Sequence, residues 1–121
     1  MTTAYARLYE AVERLASPPE RQSSYLTEIF AEMDGQNARY RNCDELALEL
    51  DDFFCEGKGA AASHLSEEQI ALIGDLDTYL NDCSGKQNKE FWQREALFLD
   101  DRWQHVRSLA TRALLRLPRP T

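Results

Sequence analysis

Apolar residues recur at helical spacing along most of the chain, and this periodicity restricts the fold more than any other feature. After Thr3, the residues Leu8, Val12 and Leu15 fall on one face of a predicted first helix. Such i, i+3, i+4, i+7 spacing is typical of an amphipathic helix with one buried side. No run of β-branched residues with a period of two is present, so strands are not expected.

Two short segments carry the start signals of helices. In Ser17-Pro18-Pro19-Glu20, Ser17 suits the N-cap, Pro18 the first helical position, and Glu20 the closing residue of a capping box. In Ser66-Glu67-Glu68-Gln69, Ser66 and Gln69 form a second capping box, flanked by Leu65 and Ile70 as a hydrophobic staple. The sequence therefore predicts one helix after each of these segments.

The remaining boundaries follow from glycine, proline and acidic residues. A third helix is predicted from about Asn42 to Gly57, and a fifth from about Asn88. Asp100-Asp101 reads as a break and a new N-cap before a sixth helix that stops at Pro118, although the fifth and sixth helices could equally be one. We predict an all-α fold, an irregular antiparallel bundle of five or six helices. A single domain over residues 1–117 and a frayed tail over 118–121 are expected.

Charge is sorted along the chain. The 39 residues from Asp44 to Asp82 include eleven acidic residues and one basic residue, whereas the segment from Cys83 to Thr121 has eight basic and four acidic residues. The formal net charge of the whole chain is −7. Because nucleic-acid binding needs a basic surface, this balance argues against it, even for the arginine-rich C-terminal helix. Those arginines are expected to pair in part with the acidic helices.

Location and cofactors are constrained mainly by missing signals. No apolar run approaches the length of a membrane span, and residues Met1 to Arg7 do not resemble a secretory signal, so we expect a cytoplasmic protein that does not bind membranes. The three cysteines, Cys43, Cys55 and Cys83, are too scattered for a disulfide framework. With His64 they could form a zinc site or a thiol-dependent enzyme, but the spacing supports neither. We expect no cofactor, no metal and no catalytic residue.

Carboxylates are the best candidates for a binding site. Glu45, Glu49 and Asp52 stand at i, i+4 and i+7 and are expected to share one helix face. Such a face could be simply solvated, could bind a basic partner or, least favoured, could hold a metal ion. Among the aromatic residues, Tyr79 could be exposed within the acidic zone, and Trp92 and Trp103 could lie at the rim of an interface.

Two segments resemble the small acidic helical immunity proteins of bacterial polymorphic toxin and bacteriocin systems. The first comprises Asp44-Glu45-Leu46 through Asp51-Asp52-Phe53-Phe54 and then Leu65 to Gln69. The second comprises Leu97, Asp100-Asp101-Arg102-Trp103, Val106-Arg107 and Ala110. The resemblance implies a non-enzymatic protein that binds and neutralises a cognate toxin, which would be a basic protein and possibly a nuclease.

On this interpretation an acidic helical surface would contact the toxin and speed association. The residues predicted to bind the partner are Asp44, Glu45, Glu49, Asp52, Glu56, Asp75, Tyr79 and Asp82. Two alternatives remain. The chain could be a regulatory or adaptor domain that binds a basic protein segment or self-associates, or, less favoured, a small metal- or thiol-dependent enzyme.

Overall fold

The computed structural model describes residues 3–31, 43–54, 65–84 and 86–120. Within these ranges all regular secondary structure is helical, which confirms the all-α class. The helices are α1 (Ala4–Ala16), α2 (Pro19–Ala31), α3 (Asp44–Phe54), α4 (Glu67–Asp82), a 3₁₀ helix (Lys86–Trp92), α5 (Ala96–Leu99) and α6 (Asp101–Leu114). Of these described helices, none is long and apolar enough to cross a membrane.

Four helices form a ring around the core. In the order α1, α3, α4 and α6, each packs against its two neighbours, and α2 lies outside the ring against α1 and α5. The core is made mainly of leucines, Val12, Ile73 and aromatic residues that are almost completely buried. Burial of this apolar area supplies the main stabilising free energy, since each large side chain contributes about 1.5–3 kcal/mol.

Contacts between helix ends show how α1 and α4 run relative to α6. Tyr5, at the start of α1, donates a 2.5 Å hydrogen bond to the carbonyl oxygen of Pro118, just beyond the end of α6. Gln69, at the start of α4, donates a 2.7 Å bond to the carbonyl oxygen of Arg116. Both α1 and α4 are therefore antiparallel to α6.

Helix α1 begins where the sequence predicts. The Thr3 hydroxyl accepts a 3.0 Å hydrogen bond from the amide of Ala6, so Thr3 is the N-cap. The helix ends at Ser17, whose backbone is extended at φ −73° and ψ 156°. Proline at the next position disfavours the helical region for the residue before it, which explains this stop.

The first of the two predicted capping boxes is wrong by one residue. The Ser17 hydroxyl donates to the carbonyl of Glu13, 2.8 Å away, and therefore ends α1 rather than starting α2. The carbonyl oxygen of Pro18 accepts from the amides of Arg21 and Gln22, so Pro19 is the first residue of α2. Pro18 therefore takes the N-cap position that was predicted for Ser17, and Pro19 takes the first helical position that was predicted for Pro18.

The second capping box is confirmed. The amide of Gln69 donates to the Ser66 hydroxyl at 3.2 Å, and the amide of Ser66 donates to Oε1 of Gln69 at 2.7 Å. Leu65 and Ile70, the residues of the predicted staple, are both partly buried against the core. Because two N-terminal amides are satisfied reciprocally, the start of α4 is fixed by local sequence alone.

The predicted fifth helix is wrong. Residues Lys86–Trp92 form a 3₁₀ helix interrupted at Asn88, whose φ and ψ are −109° and 22°, and only Ala96–Leu99 is α-helical. The possibility of one continuous fifth and sixth helix is also excluded, because Asp100 is extended at φ −93° and ψ 120°. Its side chain accepts a 2.9 Å hydrogen bond from the amide of Arg102, which confirms Asp100 as the N-cap of α6.

Aromatic packing explains why this segment departs from a regular helix. The rings of Phe91 and Trp103 are stacked with centroids 4.6 Å apart, and Nε1 of Trp103 donates to the carbonyl of Phe91 at 2.7 Å. Nε1 of Trp92 donates to the carbonyl of Cys83 at 3.0 Å. Trp103 is completely buried, so its suggested position at an interface rim is wrong, and Trp92 packs against the core. The carbonyl of Phe91 thus accepts from a side chain of α6, whereas in a regular helix it would accept from the amide four residues later.

Candidate binding surface

The outward side of α3 combines acidic residues with one exposed apolar residue. Leu46 and Leu50 point into the core, whereas Leu48 lies on the opposite side of the helix and is 44% exposed. Asp51 and Asp52 beside it are exposed, and Glu45, one turn before it, is half-buried. Leu48 is therefore an apolar side chain surrounded by carboxylates.

Two of the predicted residues of α4 are also exposed. Asp75 and Asp82, which stand seven residues apart, both face solvent. Helices α3 and α4 are neighbours in the ring, and each carries exposed carboxylates. We call the outward residues of these two helices the acidic face: Glu45, Leu48, Asp51, Asp52, Asp75 and Asp82.

Tyr79 lies at the edge of this surface. It is half-buried, and its ring packs at 4.5 Å between centroids against His105 of α6, so it lies on the flank of α4 that meets α6. Burial raises the pKa of its hydroxyl, with a smaller contribution from Cys83. Tyr79 therefore links α4 to α6 as well as bordering the acidic face.

Glu49 contacts residues of α1 and α2. Its Oε2 is 3.0 Å from Nη1 of Arg14, and its Oε1 accepts a hydrogen bond from the hydroxyl of Tyr25. The guanidinium of Arg14 also lies 4.0 Å from the centroid of the Tyr25 ring. Burial and the hydrogen bond to Glu49 raise the pKa of Tyr25. Glu49 thus links α3 to α1 and α2. Glu45, Glu49 and Asp52 do not form one solvated face, because only Asp52 of the three is fully exposed.

Two predicted residues lie where the structure gives no side-chain description. Glu56 is outside the described residues, and for Asp44 only the backbone at the start of α3 is described. Both stay predictions. The residues that the structure does place on the outward side are Glu45 and Asp52 of α3 and Asp75 and Asp82 of α4.

Leu48 was missed by the sequence analysis, although a signal was present. The inward residues of α3 are Leu46, Leu50 and Phe54, at steps of four. Leu48 falls midway between two of them and so lies about 160–200° away around the helix. A leucine that breaks the apolar stripe within an acidic segment could have been identified as an exposed anchor before the structure was known.

A second missed feature is a buried polar junction between α1, α2 and α6, which we call the inner junction. Gln22 is 1% exposed, and its Nε2 donates to the carbonyls of Arg14 and Leu15 at 3.0 and 3.1 Å. Its Oε1 accepts from Nε of Arg107 at 3.0 Å, and Nη2 of Arg107 donates to the carbonyl of Leu97 at 2.5 Å. Burial lowers the pKa of Arg107. The inner junction supplies a donor to the carbonyl of Leu15 at the end of α1, and a second donor to the carbonyl of Arg14, which also accepts from the amide of Ser17.

The predicted pairing of C-terminal arginines with the acidic helices is limited in extent. Nε of Arg116 lies 3.6 Å from Glu68 of α4, with both side chains about two-thirds exposed. Arg102 instead pairs locally with Asp100 at 2.7 Å. An exposed ion pair contributes little stabilisation, and Glu68 is not one of the residues of the acidic face.

The cysteines described in the structure have the environment of core residues. Cys43 and Cys83 are buried, the thiol of Cys43 donates to the carbonyl of Gln93, and burial raises the pKa of Cys83. A raised pKa disfavours the thiolate that nucleophilic or metal-binding chemistry needs. Across the described ranges no three histidine, cysteine or acidic side chains are grouped to hold a metal ion, and Cys55 and His64 lie outside those ranges.

Comparison with protein-family models, with characterised proteins and with solved structures found no match to this chain. The resemblance to immunity proteins therefore stays a prediction from the two sequence segments that carry it. The geometry of the surface is the remaining guide to function.

Proposed function

We propose that this protein is a non-enzymatic binding protein whose acidic face captures a basic protein domain, and that the captured domain is a toxin which binding neutralises. The single observation that carries the proposal is the exposure of Leu48 among carboxylates on α3. Exposed leucines are common, so the argument rests on the surroundings of Leu48 rather than on its exposure alone.

The composition of the acidic face suits recognition of a basic surface. In protein interfaces a small desolvated apolar anchor supplies much of the binding free energy, and surrounding groups exclude water from it. Leu48 would be such an anchor, and the exposed Asp51 and Asp52 would lie at its rim. Carboxylates at a rim mainly accelerate encounter with a positively charged partner, so association should slow as salt screens the charges.

Neutralisation of a toxin is supported by the sequence resemblance and by the charge of the chain. Toxin domains that act on nucleic acids need basic substrate clefts, and a net charge of −7 favours association with such clefts.

The first experiment is capture from the native host with the purified protein as bait, followed by elution with a salt step and mass spectrometry. A single basic protein in stoichiometric amount is expected, and loss of its toxic activity on binding would support neutralisation. Recovery of nothing specific would overturn the proposal.

The surface is then tested with Leu48→Ala and Asp52→Lys baits. Glu28→Lys is the matched control, since Glu28 is exposed on α2 and the substitution changes the charge equally. Each test bait is expected to retain at least tenfold less partner than wild type, whereas the control bait retains the wild-type amount. Equal capture by all baits would show that the partner binds away from the acidic face.

A further inference from the structure

The solvent-facing side of α6 is a continuous stripe with opposite charges at its two ends. Asp101, Gln104, Ser108, Arg112 and Leu115 are all exposed, and at 100° per residue they fall within a sector of about 80°. The opposite side of α6 carries the buried residues Trp103, Val106, Ala110 and Ala113. The stripe is therefore the surface of α6 that the fold leaves open among its described elements.

The acidic end of the stripe includes an exposed leucine in a shallow groove. Leu99 is 81% exposed and lines this groove together with Glu90, Glu95 and Asp101. All three carboxylate residues are exposed. This end of α6 therefore presents an apolar side chain within a negatively charged rim.

The basic end repeats the arrangement with the opposite sign. Leu115 is 80% exposed and lines a second shallow groove with Arg107, Ser108 and Arg112. Arg112 is exposed, whereas Arg107 is committed in part to Gln22 and Leu97. Each leucine is thus set in a groove of opposite charge to the other.

The two ends are placed so that the stripe is complementary to itself when it is reversed. Asp101 and Arg112 are equally far from a point on α6 between Val106 and Arg107. A second copy lying antiparallel about that point would bring each Asp101 opposite an Arg112. A parallel copy would place like charges together, which is unfavourable.

We propose that α6 pairs antiparallel with α6 of a second copy of this chain, about a two-fold axis near the middle of the stripe. Ser108 and Gln104, small or uncharged, lie near that axis and permit close approach. Closed two-fold pairing is the commonest symmetry of homo-oligomers.

The association is expected to be weak. From Asp101 to Leu115 the stripe is about 21 Å long and one helix wide. It therefore buries less than the roughly 800 Å² on each partner that is typical of a stable interface. Each copy also carries a net charge of −7, so overall repulsion opposes the local attraction. A dissociation constant in the micromolar range is therefore expected.

Sedimentation velocity over a range of protein concentrations tests this proposal, with charge reversals at paired positions. Asp101→Arg and Arg112→Asp are each expected to weaken dimerisation at least tenfold, because each places like charges opposite one another at two sites. An equimolar mixture of the two variants is expected to form heterodimers with about wild-type affinity. In that heterodimer the arginine introduced at position 101 of one copy faces the aspartate introduced at position 112 of the other.

The matched control is Glu28→Arg, which makes the same charge change as Asp101→Arg on α2, away from the stripe. It should dimerise like wild type, and far-ultraviolet circular dichroism verifies that every variant is folded. A wild-type protein that stays monomeric at all concentrations would overturn the proposal. So would single variants that dimerise normally, or a mixture of the two that remains monomeric.

Discussion

Polar side chains of the inner junction are bonded within the fold, whereas those of the acidic face are exposed to solvent. In the inner junction Gln22 and Arg107 are committed to each other and to backbone carbonyls, and close by Glu49 is committed to Arg14 and Tyr25. On the acidic face Asp52, Asp75 and Asp82 are exposed. The comparison shows that the role of a charged residue in this chain depends on whether its side of the helix faces another helix or solvent, and not on its charge alone.

The largest expected effect concerns Arg107. Replacing Arg107 with Ala removes the donors to Oε1 of Gln22 and to the carbonyl of Leu97, and leaves both acceptors without these partners. We expect a loss of about 3 kcal/mol in the free energy of unfolding, because buried acceptors that lose charged donors keep their desolvation cost. Urea unfolding monitored by tryptophan fluorescence measures this loss.

Arg112→Ala is the matched control for Arg107→Ala, as Arg112 is exposed on the same helix. It should change the free energy of unfolding by no more than about 0.5 kcal/mol. Equal effects of the two substitutions would show that the inner junction does not stabilise the fold more than a surface position does.

A smaller effect is expected when the paired carboxylate of Glu49 or the exposed carboxylate of Asp52 is replaced with an amide. Glu49→Gln removes the charge that pairs with Arg14 while keeping an acceptor for Tyr25, and should lower the free energy of unfolding by about 1 kcal/mol. Asp52→Asn should leave it within about 0.5 kcal/mol of wild type.

For the rate of association with the captured partner, Asp52→Asn should have the larger effect of the two substitutions. Asp52→Asn should slow association, whereas Glu49→Gln should leave the rate near wild type, as stopped-flow mixing at low salt would show. If Glu49→Gln slowed association as strongly as Asp52→Asn, the division between the two regions would be wrong.

The smallest expected effect is the pH dependence contributed by Asp100. Arg102, which donates from its side chain and its amide, lowers the pKa of Asp100 below its usual value of 3.8. A lowered pKa in the folded state gives stability that is present above the unfolded pKa and is lost as the pH falls through the folded pKa.

Wild type should therefore be more stable than Asp100→Asn at pH 7, and the difference should shrink as the pH falls below about 4. Urea unfolding at pH 7 and at several lower values, down to about pH 2, measures this difference. Asp75→Asn is the control for loss of one surface carboxylate, and it should not reproduce the effect. A difference between wild type and Asp100→Asn that does not change with pH would contradict the assigned role of Arg102.

Much of the fold follows from local sequence. The capping box at Ser66, the start of the first helix after Thr3 and, as one of two alternatives, the break at Asp100 were predicted, because each depends on hydrogen bonds between residues at most three apart. Helical periodicity likewise accounts for the inward residues of α3, which are Leu46, Leu50 and Phe54.

The sequence by itself thus determined the helical class, the inward faces of the helices and the sorting of charge along the chain. Tertiary structure alone decided that residues Lys86–Trp92 form a 3₁₀ helix, because the carbonyls of Phe91 and Trp92 accept from the indole of Trp103 and the amide of Cys43. It also decided that Glu49 turns toward Arg14, 35 residues earlier, while Asp52 stays exposed. Partners so far apart in sequence leave no local pattern, and only the packing of helices brings them into contact.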